Sequence, residues 1–220
     1  MSKFREYIEI RKGKSIMEVG IKTRDEILEE LNEYGFSVID NYWDRETCET
    51  AIDELNSLPA HLFEEGQGGD LRCTRSNDHS SAARSFMEDQ FIQDIADMYS
   101  SCNDPDRTVA GIVRYDSKKT TDSGGGWHVD SEQDHQFKSF VYLTDVGSDN
   151  GPFTMAQGSR DIVRGLPKFS NLRISEETVK ENIKDDDIVE ITGEAGTLIL
   201  ADSTYLHRGK QIESGTRYTF

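Results

Sequence analysis

The chain has 220 residues and a formal net charge of −17, from 42 acidic and 25 basic side chains. This length fits one domain with a sizeable core. The acidic charge disfavours nucleic acid as a partner, because phosphate attraction requires a basic surface. No apolar run reaches the roughly 18–20 residues of a membrane span, and no signal peptide is visible, so we expect no membrane partner. Three irregularly spaced cysteines indicate reduced thiols and a cytoplasmic protein.

The first half of the chain predicts helices that support a sheet. Thr23 and Glu26 have the spacing of a capping box, which predicts a helix start, and Gly35 is typical of a helix end. Asp44 predicts the start of a second helix that Pro59 ends. The remaining elements predicted here are a strand at Tyr7–Ile10, a strand at Phe36–Ile39, a long loop or lid over residues 64–85 and a helix over residues 86–99.

The second half of the chain predicts a mainly β structure. Short apolar runs alternate with turns at residues 109–115, 127–129, 137–143, 153–156, 188–191, 197–200 and 217–220. Such spacing predicts a sandwich or barrel, of which the double-sheet jelly roll is one form. We therefore predict a single domain over residues 1–220. Residues 1–107 would form a helical buttress and lid, and residues 108–220 a β core that carries a helical insertion at residues 175–183.

Two histidines and one aspartate form a candidate metal site. Alternate residues of a strand share a face, so His128 and Asp130 would point the same way, and His207 would join them from another strand. Two imidazoles and one carboxylate bind non-haem Fe(II) on one side and leave open positions for oxygen chemistry. Each signal is weak alone, because a His-x-Asp pair is more often a surface feature and a single histidine is more often hydrogen-bonded. Together they predict an iron oxygenase.

Arg217 strengthens this interpretation. The segment from His207 to Arg217 contains Gly215 and predicts a hairpin, which would return Arg217 to the sheet face of His207, one layer deeper. A guanidinium there can hold a carboxylate through two charge-assisted hydrogen bonds. The alternative is a solvated arginine at a strand edge.

These motifs, in this order, resemble the phytanoyl-CoA dioxygenase family over about residues 108–220. The resemblance is carried by His128-Val-Asp130, Asn150-Gly-Pro-Phe153, Gly158-Ser-Arg160, Gly196-Thr-Leu-Ile-Leu, His207 and Arg217. It implies a double-stranded β-helix, which is a cupin-like jelly roll with flanking helices. It also implies Fe(II) as the metal and 2-oxoglutarate and O₂ as cosubstrates.

The resemblance further implies roles for individual residues. His128, Asp130 and His207 would bind the iron, Arg217 would bind the distal carboxylate of 2-oxoglutarate, and no other catalytic residue is expected. Phe140, Tyr142 and Tyr115 would line the cosubstrate pocket, although Phe140 and Tyr142 could equally be core aromatics. Family members often carry a hydroxyl two residues after the distal histidine, where this chain has Gly209. Thr219, on the face of Arg217, is the candidate replacement.

The expected reaction is hydroxylation of a small polar or acidic metabolite, with succinate and CO₂ as coproducts. Candidate substrate contacts are Trp127, Gln133, Arg160 and Arg75. The simpler interpretation of Arg160 and Arg75 is that they are solvated loop arginines. Desaturation, cyclisation or epimerisation with the same cofactors remains open. A jelly-roll metal-binding protein without turnover is the alternative of another class. The sequence predicts no oligomeric state.

Overall fold

The computed structural model describes residues 22–66, 68–100, 107–115, 121–132, 135–169 and 172–220. The predicted strand at Tyr7–Ile10 and the candidate substrate residue Gln133 lie outside these ranges. Within them, no helix is long and apolar enough to cross a membrane. The α-helices are α1 Arg24–Tyr34, α2 Arg45–Ser57, α3 Ser81–Met87, α4 Gln90–Ser100, α5 Arg160–Arg164 and α6 Glu176–Asn182. The strands are β1 Phe36–Ile39, β2 Glu64–Glu65, β3 Leu71–Cys73, β4 Gly111–Tyr115, β5 Ser123–His128, β6 Phe137–Val141, β7 Phe153–Ala156, β8 Ile188–Ile191, β9 Leu198–Asp202, β10 His207–Gly209 and β11 Thr216–Thr219.

The strands form a large and a small antiparallel sheet. The large sheet consists of two ladders, β1-β9-β6 and β11-β4-β3-β2. A bridge between Tyr142 and Thr219, with reciprocal hydrogen bonds between Val141 and Phe220, joins the ladders into the order β1-β9-β6-β11-β4-β3-β2. The small sheet has the order β5-β10-β7-β8. Two facing antiparallel sheets with helices outside them confirm the predicted jelly-roll class.

Alternation along the strands divides the apolar residues into three layers. On β9, Leu198 and Leu200 pack against the helices α1 to α4, whereas Ile199 and Ala201 face the layer between the sheets. The outer face of the small sheet packs on α5 and α6 through a third cluster around Trp127 and Val163. The period of two therefore turns His128 away from Trp127 and toward the layer between the sheets.

The helix caps confirm several sequence predictions. Thr23 and Glu26 form both hydrogen bonds of the capping box, and Gly35 ends α1 with a left-handed φ of 91°. The carboxylate of Asp44 caps α2 by accepting from the amide of Thr47. Ser175 caps α6 in the same way, so the predicted helical insertion forms over residues 176–182.

Three local predictions differ from the structure. Residues 64–85 are not one loop, since β3 pairs with β4 in the large sheet and α3 begins at Ser81. The predicted helix over residues 86–99 is instead the end of α3 followed by α4, which starts after Asp89 accepts from the amides of Phe91 and Ile92. Strands β10 and β11 do not form a hairpin, because β10 pairs with β5 and β7 while β11 pairs with β4.

Candidate active site

The three candidate metal ligands converge on one point between the sheets. His128 and His207 are direct partners in the β5–β10 ladder, and their ring centroids are 4.3 Å apart. Asp130 Oδ1 lies 3.7 Å from His128 Nε2, and Asp130 Oδ2 lies 3.4 Å from His207 Nε2. One ligand atom from each residue lies within 4.8 Å of the others, so the three side chains could hold one metal ion. A donor set of two imidazoles and a carboxylate fits Fe(II).

Backbone carbonyls orient both imidazoles. His128 Nδ1 lies 2.8 Å from the carbonyl oxygen of Gly126, and His207 Nδ1 lies 2.9 Å from that of Tyr205. When each Nδ1–H donates to its carbonyl, each Nε2 presents its lone pair to the metal position, as second-shell contacts do in metal sites. Burial, and then the neighbouring His207, lowers the pKa of His128 to about 4. His128 is therefore neutral at pH 7, which is the state that binds metal.

Asp130 is held in its ionised form. Burial alone would raise its pKa, but the adjacent His207 and the ammonium of Lys138 lower the pKa well below the usual range. Lys138 Nζ contacts Asp130 Oδ2 directly. The backbone amide of Asp130 also donates to the carbonyl of Ser203, so the ligand loop is fixed to the turn that follows β9. Lys138 was not among the sequence candidates, although it shares the strand face of Phe140 and Tyr142.

The three aromatic residues predicted to line the cosubstrate pocket differ in their surroundings. Phe140 packs on Phe153 at a ring separation of 5.0 Å, and Phe153 packs on His207 at 5.5 Å. Tyr142 is buried, and its hydroxyl donates to the carbonyl of Ile191 and accepts from the amide of Phe153. Tyr115, by contrast, is exposed at the end of β4, on the face opposite the site. Phe153 closes the Asn150-Gly-Pro-Phe153 motif but was not predicted as a pocket residue.

Arg217 is buried, with the phenol of Tyr142 nearby. Its exposure is 6%, and Nε and Nη1 are buried without a hydrogen-bond partner in the part of the chain that the structure describes. Thr219 is on the same strand face as Arg217 and bridges to Tyr142. Burial lowers the pKa of Arg217 from its ordinary value, and the phenol of Tyr142 acts against this. Because unpaired buried N–H groups are costly, these two atoms indicate an anion site, and the distal carboxylate of 2-oxoglutarate fits it.

The remaining substrate candidates have other surroundings. Trp127 is 1% exposed and packs in the core outside the small sheet. The guanidinium carbon of Arg208 lies 4.3 Å from the centroid of its ring. We therefore do not retain Trp127 as a substrate contact. Arg75 is exposed and forms an ion pair with Asp78 at 2.8 Å.

Arg160 belongs to a polar cluster around Asp202. Arg160 Nη1 lies 3.0 Å from His135 Nδ1, and His135 Nδ1 lies 3.0 Å from Asp202 Oδ2. Asp202 is fully buried and also accepts from the hydroxyl of Tyr99 at 2.8 Å. This network connects α4 and α5 with the end of β9, so Arg160 carries a structural contact whatever its role toward substrate.

Comparisons with solved structures agree with this fold. The carbocyclase SnoK of nogalamycin biosynthesis, described as a non-haem, 2-oxoglutarate-dependent enzyme, superposes with a TM-score of 0.70 at 16% identity over 91% of this chain and 85% of SnoK. HygX from Streptomyces hygroscopicus, solved with nickel, 2-oxoglutarate and hygromycin B, gives a TM-score of 0.59 at 19% identity over 90% of this chain and 85% of HygX. EctD from S. alaskensis, solved with bound iron, gives 0.62 at 17% identity over 94% of this chain and 77% of EctD. At these identities the likeness establishes the fold.

The family follows from the sequence itself. A comparison with curated proteins found no significant match. The sequence profile of the phytanoyl-CoA dioxygenase family, however, matches residues 31–218, so it includes the helical half as well as the β core. Its members use Fe(II), 2-oxoglutarate and O₂. This chain belongs to the phytanoyl-CoA dioxygenase family and is an Fe(II)- and 2-oxoglutarate-dependent oxygenase.

Proposed function

We propose that this oxygenase hydroxylates a small polar metabolite, with His128, Asp130 and His207 as the iron ligands. The observation that carries the proposal is the convergence of these three donors within 4.8 Å. When bound, iron and 2-oxoglutarate supply the oxidising chemistry, in which O₂ is consumed, succinate and CO₂ are formed and a substrate C–H bond is oxidised. The protein contributes binding, orientation and exclusion of water.

The residues divide these tasks between them. The carbonyls of Gly126 and Tyr205 fix the two imidazoles, and Lys138 orients the carboxylate of Asp130. Arg217 binds the distal carboxylate of 2-oxoglutarate with its unpaired N–H groups. Phe140 and Phe153 form an apolar wall beside His207, which excludes water from the space between the metal and Arg217.

The side chains near Asp130 support a polar substrate. Lys138, which contacts Asp130, is 40% exposed, and His135 and Arg160 are also partly exposed near the Ser203 turn. An acidic substrate would need unneutralised arginines, yet Arg160 faces the carboxylate of Asp202 at 3.8 Å. We therefore favour a polar substrate whose hydrogen bonds are made to these groups over one selected by its negative charge.

Anaerobic titration of the Fe(II)-loaded protein with 2-oxoglutarate tests the site. The weak visible charge-transfer band of the chelate should appear in the wild type and disappear in His128→Ala. His61→Ala removes an exposed histidine and is the matched control, so it should leave the band unchanged. A full band in His128→Ala would contradict the ligand assignment. No band in folded, iron-loaded wild type would favour the non-catalytic jelly roll.

Product mass tests the reaction type. A panel of small polar metabolites is screened by substrate-dependent succinate release. The masses of the products formed from active substrates are then measured by mass spectrometry. Hydroxylation adds one oxygen atom, whereas desaturation or cyclisation removes two hydrogens and epimerisation leaves the mass unchanged. Products without added oxygen would contradict the proposed hydroxylation while leaving the cofactor assignment intact.

A further inference from the structure

Three buried charged residues lie side by side on the inner face of the large sheet. Arg217 on β11 is the direct partner of Arg114 on β4. Leu71 pairs with Val113, and continuing this antiparallel register by one residue places Asp70 next to Arg114. Asp70 and Arg114 are fully buried, and Arg217 is 6% exposed. We call Asp70, Arg114 and Arg217 the charge row.

The charge row has more positive than negative charge. Like charges opposite each other on neighbouring strands repel, and two guanidiniums here share one fully buried carboxylate. One oxygen of that carboxylate is engaged, because Arg72 Nε contacts Asp70 Oδ2, whereas Oδ1 is buried and has no hydrogen-bond partner among the described residues. Within the described ranges, Arg114 Nε, Arg217 Nε and Arg217 Nη1 are buried without hydrogen-bond partners. Burial, and then the charge of Arg217, lowers the pKa of Arg114 to about 10. The row thus has donors and positive charge available for an anion.

Arg114 also connects the two strands that carry the metal ligands. Its Nη2 donates to the carbonyl of Thr121 at 2.6 Å, two residues before β5. Its Nη1 donates to the carbonyl of Lys210 at 2.9 Å and approaches that of Gly209 at 3.4 Å, at the end of β10. Gly209 is the position at which family members often supply a hydroxyl. Here a buried guanidinium lies at the backbone of that position instead.

We propose that Arg114 is a positioning residue for 2-oxoglutarate, acting with Arg217 as a second positive charge for the distal carboxylate, and that Asp70 limits this charge when no anion is bound. The inference rests on the proposed function, in which Arg217 binds that carboxylate. The row discriminates 2-oxo acids by the charge at their far end, because 2-oxobutyrate chelates a metal as 2-oxoglutarate does but has no distal carboxylate.

The test compares the Kd of 2-oxoglutarate and of 2-oxobutyrate, measured anaerobically on Fe(II)-loaded protein from the charge-transfer band. Arg114→Gln should raise the Kd of 2-oxoglutarate about tenfold or more, because loss of a nearby buried charge lowers the affinity by about that factor. It should change the Kd of 2-oxobutyrate by no more than about twofold. Arg114→Lys should recover part of the loss. Asp70→Asn should tighten 2-oxoglutarate several-fold, because it removes the competing negative charge.

The outcomes separate this inference from the proposed function. Equal weakening of both 2-oxo acids in Arg114→Gln would mean that Arg114 only supports the fold, and the inference would be wrong. Weaker 2-oxoglutarate binding in Asp70→Asn would overturn the role of Asp70, and this variant remains informative if Arg114→Gln does not fold. Loss of selectivity in Arg217→Gln but not in Arg114→Gln would overturn the row and leave the proposed function standing. No band with either acid in the wild type would overturn both.

Discussion

Replacement of Arg217 by methionine should stabilise the protein without ligand and abolish its stabilisation by 2-oxoglutarate. Arg217 is 6% exposed, and two of its nitrogens are buried without hydrogen-bond partners among the residues that the structure describes. A buried donor without a partner costs about 1–3 kcal/mol, so the two together cost about 2 kcal/mol or more. Methionine fills similar apolar space without that cost. We therefore expect the free energy of unfolding of ligand-free Arg217→Met to exceed that of the wild type by about 2 kcal/mol.

When 2-oxoglutarate is present, the free energy of unfolding of the wild type should instead exceed that of Arg217→Met. A ligand at 100 times its Kd stabilises the folded state by about 2.7 kcal/mol, which the wild type gains and the variant does not. Urea unfolding followed by circular dichroism, on Ni(II)-loaded protein with and without 2-oxoglutarate, measures both effects. Arg45→Met, at an exposed arginine paired with Asp145, is the matched control and should behave like the wild type. Lower ligand-free stability in Arg217→Met, together with unchanged stabilisation by 2-oxoglutarate, would refute the reasoning.

Three further outcomes follow from the burial of single residues. Because the folded pKa of His128, about 4, is below its ordinary 6.5, the unfolded chain binds more protons between these pH values. The free energy of unfolding of metal-free protein should therefore fall by up to about 3 kcal/mol as the pH is lowered through that window, and urea titrations at each pH should show a flatter profile in His128→Gln. Gly196→Ala should cost about 3 kcal/mol or more of the same free energy, since φ is +91° and the added Cβ would lie 1.9 Å from the carbonyl oxygen of Trp43. Gly165→Ala should be nearly neutral, because its added Cβ would lie 3.6 Å from the carbonyl oxygen of Ile162, which is an ordinary van der Waals contact. Cys48 is fully buried and burial raises its pKa to about 11, so peptide mapping should find it unmodified by a thiol reagent until urea unfolds the protein.

Local chemistry explains why much of the fold could be predicted from the sequence. The Thr23 capping box and the Asp44 cap act within three residues, so the spacing alone predicts the starts of α1 and α2. The period of two likewise predicts that His128 and Asp130 share a face. Asp89 is a cap of the same kind, and its position after α3 could have divided the predicted third helix correctly.

Pairing between distant strands could not be predicted in the same way. The turn at Gly215 suggested a hairpin, but β10 and β11 belong to different sheets, and no local spacing encodes that choice. Strand β3 has only three residues and follows a Gly-rich turn, so it has too few positions to show a period. Arg114 was missed for a related reason. Its importance depends on the partners that β4 acquires on both sides, Asp70 from one and Arg217 from the other.

The two halves of the site differ in what fixes them, and this difference bears on how the fold hosts several reactions. Each histidine is oriented by the carbonyl two residues before it, and the two histidines are paired across one ladder, so the backbone itself sets the metal position. The polar groups that we propose for substrate binding, His135 and Arg160, are instead side chains from a loop and a short helix. Substitutions there leave the β ladder intact. A chain of this fold can therefore change the side chains that contact its substrate while the ladder that holds the metal ligands stays the same.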